Sequence, residues 1–172
     1  MAWKQRRRRR YTDEELEELD RAWRRWRLEE RCRDRAFGYF GLIVKRMRLL
    51  KRQRVYDQLE NAVDEGVISR EELVDAIDAA VYAWGRSRDT NRPVVILAEA
   101  TPEIGCDDVQ RACRRAEIVG RVLQLPCLPV VVGETIDPDA EALARDRMWR
   151  VIDERTYAPG EPAPTGGEKA SL

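Results

Sequence analysis

The sequence predicts a mixed α/β fold in which a helical lead-in precedes a sheet, and three observations point that way. Apolar residues recur at helical spacing through the first half of the chain. Val94–Thr101 (VVILAEAT) is then an almost unbroken apolar run, as in a strand buried on both faces. From Ala79 onward the order reads strand, strand, helix, strand, helix, strand. The short first connection predicts an antiparallel pair, and the helical crossovers predict parallel strands wound right-handed. The expected product is a mixed sheet with flanking helices, behind an N-terminal helical segment.

Taken in order, residues 1–11 hold Arg6–Arg10 and read as a basic arm without fixed structure. Thr12 with Glu15 three residues on is a capping box, and Asp13, Glu14 and Glu15 suit a helix N-terminus. The helix over 12–35 places Leu16, Leu19, Trp23 and Trp26 at steps of 3, 4 and 3. That a/d stripe lasts two heptads, enough for a short coiled coil or one helix of a bundle. Packing on the domain's own core is an equal alternative. Ala36–Leu50 reads as a helix passing into an extended piece near Met47–Leu50. Arg54–Glu65 is amphipathic and stops at Gly66; Ser69 caps a further helix carrying Leu73, Val74, Ile77 and Ala80.

Ala79–Gly85 (AAVYAWG) reads as a strand and Arg86–Arg92 as a polar turn. Asp107–Leu125 is a helix with Val109, Ala112, Cys113, Ala116, Gly120 and Leu123 on one face. Leu128–Gly133 reads as a strand and Asp137–Arg147 as a helix with Pro138 in its first turn. Trp149–Ile152 reads as a last short strand. The domain is expected over 36–157, and the Pro- and Gly-rich residues 158–172 as a disordered tail.

The composition narrows the chemistry. The 172 residues are 43% hydrophobic and 37% charged, with 32 basic and 32 acidic side chains. Residues 1–54 hold 19 basic and 9 acidic groups, and residues 55–172 hold 13 and 23, so the ends are oppositely charged. Histidine is absent, which excludes Ser-His-Asp and Cys-His nucleophile pairs and His-ligated zinc or haem. Cys32, Cys106, Cys113 and Cys127 have no C-x-x-C spacing and read as small buried side chains. No run is long and apolar enough to cross a membrane, and no secretory signal is evident. A cytoplasmic location is the expectation.

Glu99 is the most informative residue, because it interrupts the apolar strand between Ala98 and Ala100. A lone ionised carboxylate in a dry interior costs several kcal/mol, so it needs a partner, a metal, or the open end of the strand. Capping the next helix or pairing with an arginine would meet the same need. Arg111, Arg114 and Arg115 follow at i, i+3, i+4 on one helix face, a spacing that suits contact with a phosphate backbone. A solvated face partly neutralised by Glu117 is the plainer alternative.

The order of a strand, a carboxylate at its end, DDVQRACRRAEIVGRVL, LPVVVGETI and DPDAEALARDRMWRVI resembles the PD-(D/E)XK nuclease-like superfamily. LEERCRDRAFGYFG and LVDAIDAAVYAWG are similar to uncharacterised bacterial proteins with a coiled-coil helix before such a domain, so the resemblance spans about residues 28–153. It implies a restriction-endonuclease-like fold. It also implies Mg²⁺ held by an acid on the second core strand and by the glutamate of an E-x-K triplet. Glu99 matches that glutamate, while Thr101 stands where the family has lysine and carries no charge. The upstream acid is expected near Ala80; the closest carboxylate is Asp78. Some nucleases add an acid from the first helix, for which Glu29 is the candidate. Arg86 or Arg88 is the candidate replacement for the lysine charge, though arginine is not equivalent to lysine.

Two functions follow as expectations. One is a degenerate Mg²⁺-dependent phosphodiesterase that acts on or binds nucleic acid through Arg86, Arg88, Arg111, Arg114 and Arg115. The other is a non-catalytic interaction module that forms a homo-oligomer, or docks a partner, through Leu16, Leu19, Trp23 and Trp26.

Overall fold

The computed structural model describes residues 11–166; the Arg6–Arg10 arm and residues 167–172 lie outside it. The chain opens with α1 (Asp13–Asp34), capped by Thr12 and Glu15 in the expected capping box, and α2 (Ala36–Phe40). Strand β1 (Val44–Leu49) leads into α3 (Arg52–Asp64) and α4 (Arg70–Ala76), the latter capped by Ser69 and Glu72. Strands β2 (Val81–Ser87) and β3 (Pro93–Ala100) come next, followed by the two-residue β4 (Glu103–Ile104) and α5 (Cys106–Leu123). The remainder is β5 (Cys127–Gly133), β6 (Thr135–Ile136), α6 (Pro138–Ala144), β7 (Trp149–Ile152) and β8 (Arg155–Tyr157).

Six strands form one mixed sheet in the order β1-β2-β3-β5-β7-β8. The pairs β1/β2, β2/β3 and β7/β8 are antiparallel, and β3/β5 and β5/β7 are parallel. The short β2–β3 connection and the α5 and α6 crossovers therefore give the expected directions. A small parallel pair, β4 with β6, lies outside the main sheet.

Alternation along β3 divides the core in two. Ile96, Ala98 and Ala100 pack with Leu28 and Cys32 of α1 and with Tyr39 and Phe40 of α2. Val95 and Leu97 face the other way, onto Val55 and Leu59 of α3, Leu73 of α4 and Ala116 and Val119 of α5. A third cluster, including Val131, Ile136, Ala140 and Met148, lies under α6. Gly133 ends β5 where the chain passes the Thr101 backbone. An added Cβ there would lie 2.6 Å from the Thr101 carbonyl oxygen, so only glycine fits.

Several expectations are corrected. The apolar segment after residue 36 is helical only to Phe40, and the extended piece begins at Val44 rather than near Met47. Its β-branched Ile43 and Val44 favour the strand. The helix after Ser69 stops at Ala76, so Ala80 lies outside it. The tail over 158–172 is not disordered throughout. Residues 158–166 lie on the domain: Ala163 is buried, Gly160 N–H donates to the Arg145 carbonyl, and Gly166 N–H donates to the Ile136 carbonyl. Composition alone missed this, because the backbone of that segment finds partners on and around α6.

Candidate functional site

Glu99 is 3% exposed and sits one residue before the end of β3, opposite Val131 of β5. The period-2 alternation puts it on the face of Val95 and Leu97, toward α5. The apolar stripe of α5 docks on that face and brings Arg115, itself only 6% exposed, to the carboxylate. Arg115 Nη1 donates to Glu99 Oε1 at 2.8 Å, and Arg115 Nε donates to Asp75 Oδ1 at 2.9 Å. Arg114 Nε holds the other Asp75 oxygen at 2.6 Å. The result is a chain of four charges, Glu99–Arg115–Asp75–Arg114, running from the sheet to the surface between α4 and α5.

The electrostatics follow from position. Burial pushes the Glu99 carboxyl above its usual range, against the bond and charge of Arg115 and the charges of Arg111 and Arg25. Burial also acts to raise Asp75, but its two guanidinium partners outweigh that and hold it below the usual range. Arg115 stays protonated, since its two carboxylate partners overcome its own burial.

Continuing the β2/β3 register by one residue places Ala80, not an acid, across from Glu99. Asp78 is exposed in the turn after α4, where it lines a cleft of about 520 Å³ with Arg70, Glu71, Val74, Asp75 and Arg115. Glu29 is on α1 and accepts from Arg25 Nε at 3.1 Å. Thr101 lies past the end of β3, in a separate cleft lined by Arg21, Arg24 and Arg25 of α1. Among the described residues no group of three or more cysteines or acids is placed to hold a metal ion.

The expected basic surface is also neutralised. Arg111 pairs with Asp108 at 3.0 Å, Arg114 with Asp75, and Arg115 is buried. Further along the same helix Arg121 pairs with Glu72. The i, i+3, i+4 spacing allows phosphate contact or a solvated face partly neutralised by Glu117; it does not show α4 arriving with Glu72 and Asp75. Arg86 and Arg88, the expected replacements for a lysine charge, lie toward the opposite end of β3 from Glu99. Arg86 pairs in register with Pro93 at the start of β3, six residues from Glu99 and so about 20 Å away along the strand. Arg86 Nη1 donates to the Asn91 carbonyl and Arg88 Nε to the Gly41 carbonyl, so both fasten the hairpin end of the sheet.

The N-terminal stripe behaves differently. Leu16, Leu19, Trp23 and Trp26 are 50%, 52%, 56% and 49% exposed, and the two indoles stack with centroids 4.8 Å apart. They do not pack on the domain's own core. The domain-facing side of α1 carries Leu28 and Cys32, both buried, and Arg24, which holds Glu134 at 3.0 Å and Glu103 at 3.8 Å.

A second buried ion pair was missed. Glu141 of α6 and Arg150 of β7 are both 0% exposed. Arg150 donates to Glu141 and to the carbonyls of Arg145, Met148, Ala158 and Glu161, and Ala163 N–H donates to Glu141 Oε1. The available signal was an acid inside the apolar helix AEALA and a base inside the apolar strand WRVI.

The chain matches no protein-family model, no curated protein and no solved structure. Among the described residues no helix is long and apolar enough to cross a membrane.

Proposed function

We propose that the chain is a protein-interaction module: α1 is the docking element, and a restriction-endonuclease-like domain is the non-hydrolytic scaffold that holds it out. The antiparallel β2/β3 pair, the parallel β5 and β7 and the helices on both faces support the scaffold reading. Two of the residues that the nuclease resemblance assigns to Mg²⁺, Glu99 and Glu29, already have arginine partners. Magnesium needs several oxygen ligands in near-octahedral geometry. Here Glu99 is engaged by a buried guanidinium, the residue that continues the β2 register opposite it is Ala80, Asp78 is exposed in a cleft with Arg115, and Glu29 is held by Arg25. No hydrolytic step is derived through that group.

The observation that carries the docking reading is the apolar stripe of α1. Four large side chains in an a/d pattern stand half in water, on the side of the helix that faces away from the domain. Covering them would recover roughly 1 kcal/mol or more each. A helix stretch that buries none of its apolar face is marginal by itself, because helices draw most of their stability from packing.

Hydrogen exchange tests this. Amides 13–27 are expected to be protected in concentrated wild-type protein and to lose that protection in Trp23→Glu/Trp26→Glu, with β3 and β5 unchanged. Equally fast exchange of α1 in both proteins would overturn the docking reading. Nucleic-acid cleavage that requires Mg²⁺ and disappears in Glu99→Ala would overturn the non-hydrolytic scaffold and restore the phosphodiesterase reading.

A further inference from the structure

Resting on the docking role of α1, we infer that its partner is α1 of a second copy of this chain, packed antiparallel about a two-fold axis that passes near residue 21.

Three features of the helix select that arrangement. The first is room. At 100° per residue, Leu16, Leu19, Trp23 and Trp26 cluster on one side, and Arg24, Leu28 and Cys32 cluster nearly opposite. The latter three face the domain, so a second helix can lie along the stripe without meeting the sheet. The second is volume. An antiparallel pair sets Leu16 against the partner copy's tryptophan at the 26 position, and Leu19 against its tryptophan at the 23 position. Every layer then joins one small and one large side chain. A parallel pair would stack leucine on leucine and tryptophan on tryptophan, giving two thin layers and two crowded ones. The third is charge. Beside the stripe the helix carries Asp13, Glu15 and Asp20 toward its start and Arg27 toward its end, whereas Arg24 is held on the domain side by Glu134 and Glu103. Antiparallel packing brings Arg27 of each copy near Asp13 of the other; parallel packing sets Glu15 of each copy near Asp20 of the other, acid on acid.

The acids beside the stripe argue against single-stranded nucleic acid as the occupant. Stacking on the two indoles would be available to a base, but the acidic first half of the helix would repel the phosphates. A self-complementary patch is what a two-fold interface requires.

Distances between nitroxide labels test the orientation. One label replaces Asp13 and, in a separate protein, one replaces Asp20 (Asp13→Cys, Asp20→Cys), both at the same heptad position. Cys106→Ser and Cys113→Ser remove the reactive background, since burial pushes the Cys32 and Cys127 thiols up to about 12. With 1.5 Å of rise per residue, antiparallel packing offsets the two labels along the axis by about 3 Å at position 20 and about 24 Å at position 13. The expected result is a dimer with a clearly longer label distance at 13 than at 20. A dimer with equal distances would be parallel; that overturns this inference and leaves α1 as the docking element. A protein that stays monomeric while α1 is protected from exchange would likewise reject a second copy as the partner. Trp emission quenched by a single-stranded oligonucleotide, with no dimer, would assign the stripe to nucleic acid.

Discussion

The two buried acid–arginine pairs have the same chemistry and different surroundings. Glu141–Arg150 is sealed: neither residue reaches solvent, and Arg150 spreads its donors over four carbonyls as well as the carboxylate. Glu99–Arg115 is open on one side, because Arg115 continues to Asp75 and to the cleft that Asp78 lines. The sealed pair ties α6, β7 and residues 158–163 together and has no room for chemistry. The open pair joins β3, α5 and α4 by the same means. A buried acid in an apolar strand or helix is therefore not by itself a sign of catalysis in this fold, since a guanidinium from a neighbouring element satisfies it in both places.

Breaking the sealed pair should have the largest effect. Arg150→Met leaves Glu141 buried without its main counter-charge and takes a donor from four carbonyls, of which those of Arg145 and Ala158 keep a backbone N–H, and a loss of about 3–5 kcal/mol is expected in urea unfolding. The residues 158–163 should then become sensitive to proteolysis. Unchanged stability would mean that the pair contributes nothing.

Arg115→Met should cost less, about 1–3 kcal/mol. Glu99 can take up a proton, and Asp75 keeps Arg114. A loss as large as that of Arg150→Met would show that the open pair is as tightly enclosed as the sealed one.

The pH profile sharpens the contrast at a smaller scale. The folded Glu99 carboxyl is raised, so the native state binds its proton more tightly than the unfolded chain. Its contribution is favourable at low pH and is lost as pH rises from its usual value of 4.5 through the raised folded value. Asp75 is lowered, so its contribution is present above its usual 3.8 and is lost as pH falls through the folded value. Glu99→Gln should remove the first slope and keep the second, so the variant's stability should stop declining with pH just above the carboxylate range. An unchanged profile would place that titration elsewhere.

Much of this architecture was readable from local pattern. The capping boxes at Thr12 and Ser69, the buried strand around Ile96 and the amphipathic α5 all appear where spacing put them. Such features depend on near neighbours in sequence. The paired strand directions were also legible, because loop length limits them. The site was legible only in part. Glu99 was correctly singled out as an acid that needed something positive, and capture by an arginine was one of the alternatives. That the arginine would be Arg115, and that Asp75 would hold its other edge, depends on docking between α4, α5 and β3, which spacing does not encode. For the same reason the spacing of Arg111, Arg114 and Arg115 leaves phosphate contact and a partly neutralised face equally open, and nothing local pairs Arg150 with Glu141. The α1 stripe was the opposite case: its heptad spacing was plain, and only the packed domain shows that nothing within the described residues covers it.

The most direct test of the account is sedimentation velocity of the wild-type protein beside Trp23→Glu/Trp26→Glu. A docking helix that pairs with itself predicts a wild-type species of twice the 20.0 kDa chain mass at high concentration, and a 20.0 kDa monomer for the variant under the same conditions. Identical monomeric sedimentation of both proteins at every concentration would contradict it.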